Sequence, residues 1–266
     1  MGQVISVTNQ EGGVGKTTTS VNLAASLVAT KRKVLMIDLD PQGNATMGSG
    51  VNKHELEASI YDVLMDRMPV AEALIHTEPG YDLIGANADL TAAEVELLDG
   101  DQKEQRLKSA LAGVRSQYDY VLIDCPPSLN MLTVNALVAS DSVIIPMQCE
   151  YYALEGLSAL LNTIEKIQSV LNPNLEIDGL LRTTYDPRIA LANQVSSQLT
   201  EHFGDKVYRT IIPRNVRLAE APSHGLPVLE YDRRSRGAVS YLALAGELIR
   251  RAEQKISTAG AETVTA

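Results

Sequence analysis

The run Asn9-Gln10-Glu11-Gly12-Gly13-Val14-Gly15-Lys16-Thr17-Thr18 has the composition of a phosphate cradle. Glycines allow consecutive backbone N–H groups to turn towards one anion. A helix beginning just after them adds unpaired N–H groups and a dipole that favours negative charge. In such a cradle Lys16 neutralises phosphate oxygens and the Thr17 hydroxyl ligates Mg²⁺. The spacing G-x-x-x-x-G-K-[ST] is not met, because Gln10 stands where its first glycine would be. The pair Gly12-Gly13 lies close to Lys16 instead, a deviant Walker A form. A glycine-rich turn can arise by chance, but here a strand-like run precedes it and a helical run follows. The phosphate site is therefore expected at Gly12, Gly13, Val14, Gly15, Lys16, Thr17 and Thr18.

Carboxylates stand where such a site needs them. Val34-Leu35-Met36-Ile37-Asp38-Leu39-Asp40 places Asp38 and Asp40 at the end of an apolar run, and Tyr120-Val121-Leu122-Ile123-Asp124 does the same for Asp124. Open α/β sheets bind ligands at the carboxyl ends of their strands. A single acid in that place is usually a cap or a turn former. Two such strands beside a phosphate loop favour magnesium and water handling.

Those residues need a scaffold, and the pattern supplies one. Short β-branched runs at Val4–Thr8, Val34–Asp38, Tyr81–Ile84, Tyr120–Asp124, Ser142–Pro146, Ile177–Leu181 and Val207–Ile212 predict strands. Helical periodicity lies between them at Lys16–Ala29, Ser59–Met65, Thr91–Leu98, Gln105–Gln117, Leu132–Ala139, Leu154–Leu171, Ala190–Phe203 and Val216–His224, with a last helix at about Ala238–Lys255. This alternation predicts one α/β domain of the P-loop NTPase class over 1–256, a mostly parallel twisted sheet of about seven or eight strands with helices on both faces. The small, polar stretch 257–266 is expected to be a disordered tail.

Composition removes several classes. No apolar run approaches the ~18–20 residues that cross a bilayer, and no basic-then-apolar leader opens the chain. Two cysteines, Cys125 and Cys149, are too few and too far apart for a disulfide framework or a zinc site. A cytoplasmic protein is expected. The Met1-Gly2…Ser6 spacing of a myristoylation signal is read as accidental, because Val4, Ile5 and Val7 open a buried strand. The net charge is −10, yet Arg182–Arg236 holds nine Lys/Arg against six Asp/Glu. One basic face on an acidic protein is compatible with a polyanion partner; ordinary solvated charges would give the same count.

Taken together, the segments Gly12–Thr19, Asp38–Thr46, Asp124–Ser128, Gln148–Gly156, Ile212–Gly225 and Tyr231–Gly237 resemble the ParA/MinD family of deviant Walker ATPases, most nearly its small chromosomal ParA (Soj) members. The resemblance spans about Val4 to Ala252. It implies ATP and Mg²⁺ as cofactors and an ATP-dependent homodimer with two nucleotides sandwiched between subunits. It further implies non-specific DNA binding, nucleoid association, and a centromere-binding ParB-like partner that stimulates hydrolysis. Carried onto this chain, Lys16 and Asp40 are catalytic, Asp40 by positioning the attacking water. Thr17, Asp38 and Asp124 serve the metal, Pro213 and Asn215 contact adenine, and Arg188 and Arg217 contact DNA. Arg182, Arg209, Arg214, Arg233, Arg234 and Arg236 are further candidates for the basic patch. The first strand begins almost at Met1, so no N-terminal operator-reading module is expected.

One position departs from the family. Glu11 stands where the family has a lysine that reaches across the dimer to the partner's phosphates. Weak dimerisation, slow hydrolysis or compensation by another cation would follow, which keeps a hydrolysis-impaired, nucleotide-dependent scaffold as an alternative. A MinD-like membrane ATPase needs a basic amphipathic C-terminus that Gln254–Ala266 lacks, so no membrane partner is expected. An iron–sulfur carrier on the same fold would need suitably placed cysteines.

Overall fold

The computed structural model describes residues 2–264, with side chains as far as Ser257. In chain order the elements are β1 (Gln3–Val7), α1 (Lys16–Ala29), β2 (Val34–Asp38), α2 (Asn44–Gly48), α3 (Ile60–Leu64), β3 (Ile75–His76), β4 (Asp82–Ile84), α4 (Leu90–Glu96), α5 (Arg106–Leu111) and β5 (Tyr120–Asp124). There follow α6 (Met131–Ala139), β6 (Ser142–Gln148), α7 (Ala153–Val170), β7 (Glu176–Thr183), α8 (Ala190–Phe203), α9 (Val216–Glu220), α10 (Val228–Tyr231) and α11 (Arg236–Val264). The strands form one seven-stranded sheet in the order β3-β4-β2-β5-β1-β6-β7. All neighbours are parallel except β3, which runs antiparallel to β4.

Strands covered on both faces need no polar side, so they read as unbroken apolar runs. Val4, Ile5, Leu35, Ile37, Val121 and Leu122 are fully buried accordingly. Helices α3 to α6 cover one face, and α1, α10 and α11 cover the other. A third apolar cluster joins β6 and β7 to α7 and α8. Pro146 sits inside β6, where its missing N–H would normally cost a ladder bond. The residue faces the side that β1 has already left; its carbonyl takes the Asn9 side-chain amide at 2.8 Å.

The strand number matches expectation, but one strand differs. Val207–Ile212, expected from its β-branched pattern to be a strand, forms only an isolated bridge to Leu180. Tyr208 N and Ile212 N donate to the Leu180 and Arg182 carbonyls of β7 at 3.0 and 2.9 Å, but between them Arg209 N and Thr210 N donate to the Glu247 carboxylate of α11 at 2.9 and 2.8 Å, which breaks the ladder. The short edge strand β3 takes its place in the count. The helix expected over Gln105–Gln117 ends as α5 at Leu111, and that over Val216–His224 splits after Glu220, just before Pro222. Helix α11 runs on to Val264, so 257–264, expected as disordered tail, is helical backbone; 265–266 lie outside the described residues. That stretch contains no proline, and its Ala, Glu and Thr residues tolerate helix. No described helix is long and apolar enough to cross a membrane.

Candidate nucleotide-binding site

The loop 8–15 connects β1 to α1 at the carboxyl edge of the sheet. Gly13 and Gly15 adopt φ of 75° and 86°, a region closed to most L-residues. Gly15 caps α1 without any side-chain hydrogen bond, and no acidic residue lies in the first turn of that helix. Its leading N–H groups are thus left for an anion. No protein atom lies within 4 Å of where a Cβ on Gly12 or Gly13 would point, so that side of the loop is open.

Side chains from three strand ends set the direction of the loop amides. Gln148 Nε2 donates to the Gly13 carbonyl at 2.8 Å, and Thr183 Oγ1 donates to the Val14 carbonyl at 2.7 Å. Asn9 Oδ1 accepts from Glu11 N at 3.0 Å. With its carbonyls held back, the loop can present amides towards its mouth. Lys16 is largely buried, and its Nζ donates to the Glu11 carbonyl at 2.7 Å. Burial pulls its pKa below the usual lysine value, opposed by the nearby charges of Asp124, Asp40 and Glu11.

Beneath the cradle, Thr17 Oγ1 and Ser20 Oγ donate to the two oxygens of Asp124, each at 2.8 Å. Asp38 is the register partner of Asp124 on the neighbouring strand. Its oxygens accept Asp40 N at 3.1 Å, Thr46 N at 2.8 Å and Thr46 Oγ1 at 2.7 Å. Asp40 Oδ1 in turn accepts Gln42 N at 2.9 Å. Burial raises the pKa of Asp38 and of Asp124, and the charge of Asp38 raises that of Asp124 further. Among the described residues no three His, Cys, Asp or Glu side chains converge into a metal cluster. The donor set still fits Mg²⁺, which takes few protein ligands and fills its octahedron with phosphate oxygens and water. Thr17 would be the direct ligand, with Asp124 and Asp38 behind it.

The structure therefore gathers Gly12, Gly13, Val14, Gly15, Lys16, Thr17, Thr18, Asp38, Asp40 and Asp124 at one sheet edge. Pro213 and Asn215 lie on the segment leading into α9, where the Asn215 side chain caps that helix by accepting Arg217 N at 3.0 Å. Ser20, Thr46, Gln148 and Thr183 join the site without a role that the sequence motifs assign them. Ser20 was legible, being one helical turn beyond Thr17 and so on the same face.

The basic candidates separate into two kinds. Arg188 is exposed and doubly bonded to Asp186, at 2.9 and 2.6 Å. Arg217 is half-exposed between Glu220 at 2.8 Å and Asp232 at 3.2 Å. Arg182, in contrast, is buried and donates to Ser196 Oγ and the Tyr208 carbonyl, at 2.8 and 2.7 Å. It holds β7 to α8 and is not part of an open patch. Cys125 and Cys149 are buried and reduced, and burial pushes their thiols up to about 12 and about 11, away from the thiolate that a cluster ligand requires.

Residues 2–177 match the AAA_31 family model, described as an AAA domain. The sporulation initiation inhibitor protein Soj of Bacillus subtilis is 55% identical over 249 residues, 93% of this chain and 98% of its own length. The chromosome partitioning protein ParA of Caulobacter vibrioides is 52% identical over 252 residues, 94% of each. The chain belongs to the ParA family. A solved structure named cobyrinic acid a,c-diamide synthase, from Mycobacterium smegmatis with a bound ATP analogue and magnesium, superposes with a TM-score of 0.85 at 37% identity, covering 95% of this chain and 96% of that one. That synthase name belongs to that protein.

Proposed function

We propose that this chain is a partitioning ATPase whose grip on DNA is switched by nucleotide. Lys16 and the amides of 12–18 hold the phosphates, and the Thr17 hydroxyl serves Mg²⁺, which when bound neutralises charge on the phosphoryl group. Asp40, tethered through Gln42 N, orients the attacking water. Pro213 and Asn215 border the adenine. Two nucleotide-loaded copies pair, and Arg188 and Arg217 of each bind DNA phosphates without reading sequence. A centromere-binding protein stimulates hydrolysis and release. Cytoplasmic, nucleoid-associated action follows from that cycle.

The observation that carries this reading is the uncapped start of α1, with Lys16 and Thr17 set over buried Asp124. Non-specific DNA binding needs only Lys/Arg contacts to phosphate, and pairing doubles them. ATP turnover should be measured alone, with DNA, with the centromere-binding protein, and with both. Stimulation by both together supports partitioning. Turnover indifferent to both would sink it.

Glu11 supports a second reading, a nucleotide-dependent scaffold with little hydrolysis. It keeps every nucleotide contact and differs only in turnover.

A further inference from the structure

Glu11 is held in place by its surroundings. Its amide is pinned by Asn9 and its carbonyl by Lys16 Nζ. Its side chain is half-buried against the first turn of α7: a Cβ on Gly156 would collide with Glu11 Oε1 and stand 3.2 Å from Cδ. Glycine at 156 therefore makes the room in which the carboxylate lies. The start of α7 has no side-chain cap, and a helix N-terminus favours negative charge, so the fold tolerates an acid there. Among the described residues the carboxylate has no hydrogen bond and no ion pair. Its charge reaches Lys16, which also feels Asp124 and Asp40.

This arrangement places one negative charge without a bonded partner near the lysine that would take the outermost phosphate oxygens. A triphosphate brings one more negative charge than a diphosphate, at the end of the ligand that Lys16 serves. Taking the site to be the nucleotide site proposed above, we infer that Glu11 is a specificity-determining residue that selects against the terminal phosphate. The charge at 11 then lowers the affinity for Mg-ATP relative to that for Mg-ADP. Two like charges roughly 10 Å apart at an intermediate effective dielectric, with partial salt screening, correspond to about a three- to tenfold effect on that ratio. An acid that served only the start of α7 would leave the ratio alone.

The test is a charge series at one position in the full chain: native, Glu11→Gln and Glu11→Lys. Affinities for Mg-ADP and for Mg with a non-hydrolysable ATP analogue are measured by calorimetry, at concentrations where the chain is monomeric. ADP binding within each variant serves as the reference, so the ratio is read on folded protein. The expected result is a relative gain in analogue affinity of about three- to tenfold for Glu11→Gln and a further gain for Glu11→Lys, both shrinking as salt is raised. A ratio constant within twofold across the series overturns the inference. Lys16→Ala separates this from the nucleotide reading: should it bind both nucleotides as the native chain does, the site itself has been misassigned.

Discussion

Asp38 and Asp124 stand opposite each other as register partners on β2 and β5, and both are fully buried. Each is surrounded by hydroxyl or amide donors, Thr46 and Asp40 for one, Thr17 and Ser20 for the other. No described lysine or arginine forms an ion pair with either. Two acids in one dry strand-end layer make a site with a deficit of positive charge, which Lys16 answers only in part.

That deficit makes the nucleotide-free chain sensitive to pH. Burial raises both carboxyl pKa values, so above the ordinary aspartate value near 4 the folded state binds more protons than the unfolded one. Stability from these groups is therefore full at low pH and declines as pH rises through their folded values. Asp124→Asn should flatten this decline and gain roughly 1–3 kcal/mol at pH 8, while losing the stabilisation that Mg-nucleotide gives the native chain. Thermal melts from pH 5 to 9 decide it. A variant less stable than the native chain at pH 8 would show that the carboxylate is a net stabiliser.

Glu247 is a third buried acid, and structure depends on it. It accepts Arg209 N, Thr210 N, Thr210 Oγ1 and Arg251, at 2.9, 2.8, 2.7 and 2.9 Å, while itself only 6% exposed. Glu247→Ala leaves two amides and a guanidinium short of their acceptor, and should cost about 3–5 kcal/mol. Glu247→Gln retains an acceptor oxygen and should lose less. The ordering is read from urea midpoints, and equal losses would mean that the charge, absent from both variants, matters at this position rather than the acceptor and volume that glutamine keeps.

Which parts of this molecule could be read in advance follows from the range over which each was decided. The strands β1, β2, β5 and β6 are fixed by local apolar runs buried on both faces, and the phosphate loop by glycines, lysine and threonine adjacent in sequence. Val207–Ile212 has the pattern of a strand, but the amides in its middle, Arg209 N and Thr210 N, are taken by Glu247, distant in sequence. Gln148 and Thr183 reach the loop only because β6 and β7 follow β1 in the sheet, which spacing does not reveal. Arg182 resembles any surface arginine until β7 and α8 close over it.

The DNA assignment makes a prediction that distinguishes those arginines. Exposed ion pairs are weak because solvent screens them, so Arg188 and Arg217 can exchange their carboxylates for phosphates at small cost. Each phosphate contact contributes about −0.9 to the slope of log affinity against log salt. Arg217→Glu should weaken ATP-dependent DNA retention and flatten that slope by about one contact per subunit, leaving ATP binding intact. Arg182→Ala should lower stability and leave the slope unchanged. Salt titrations of DNA binding on both variants test the division. Lost ATP binding in Arg217→Glu would assign that residue to the nucleotide pocket.

Turnover should respond to the charge at position 11. In the proposed pairing around two nucleotides, two phosphate sites would come together, and each copy of Glu11 would add negative charge beside one of them. Glu11→Lys reverses that charge at the edge of the cradle without touching Gly12–Thr18. If the added cation reaches developing charge on the phosphates, turnover should rise on the order of 10²-fold, the scale of a single well-placed stabilising donor. ATP-dependent self-association should strengthen with it. Phosphate release and sedimentation of native and Glu11→Lys protein, each with ATP, give both readouts. If turnover and association match in the two proteins, Glu11 is compensated by another cation, and the scaffold reading loses its basis.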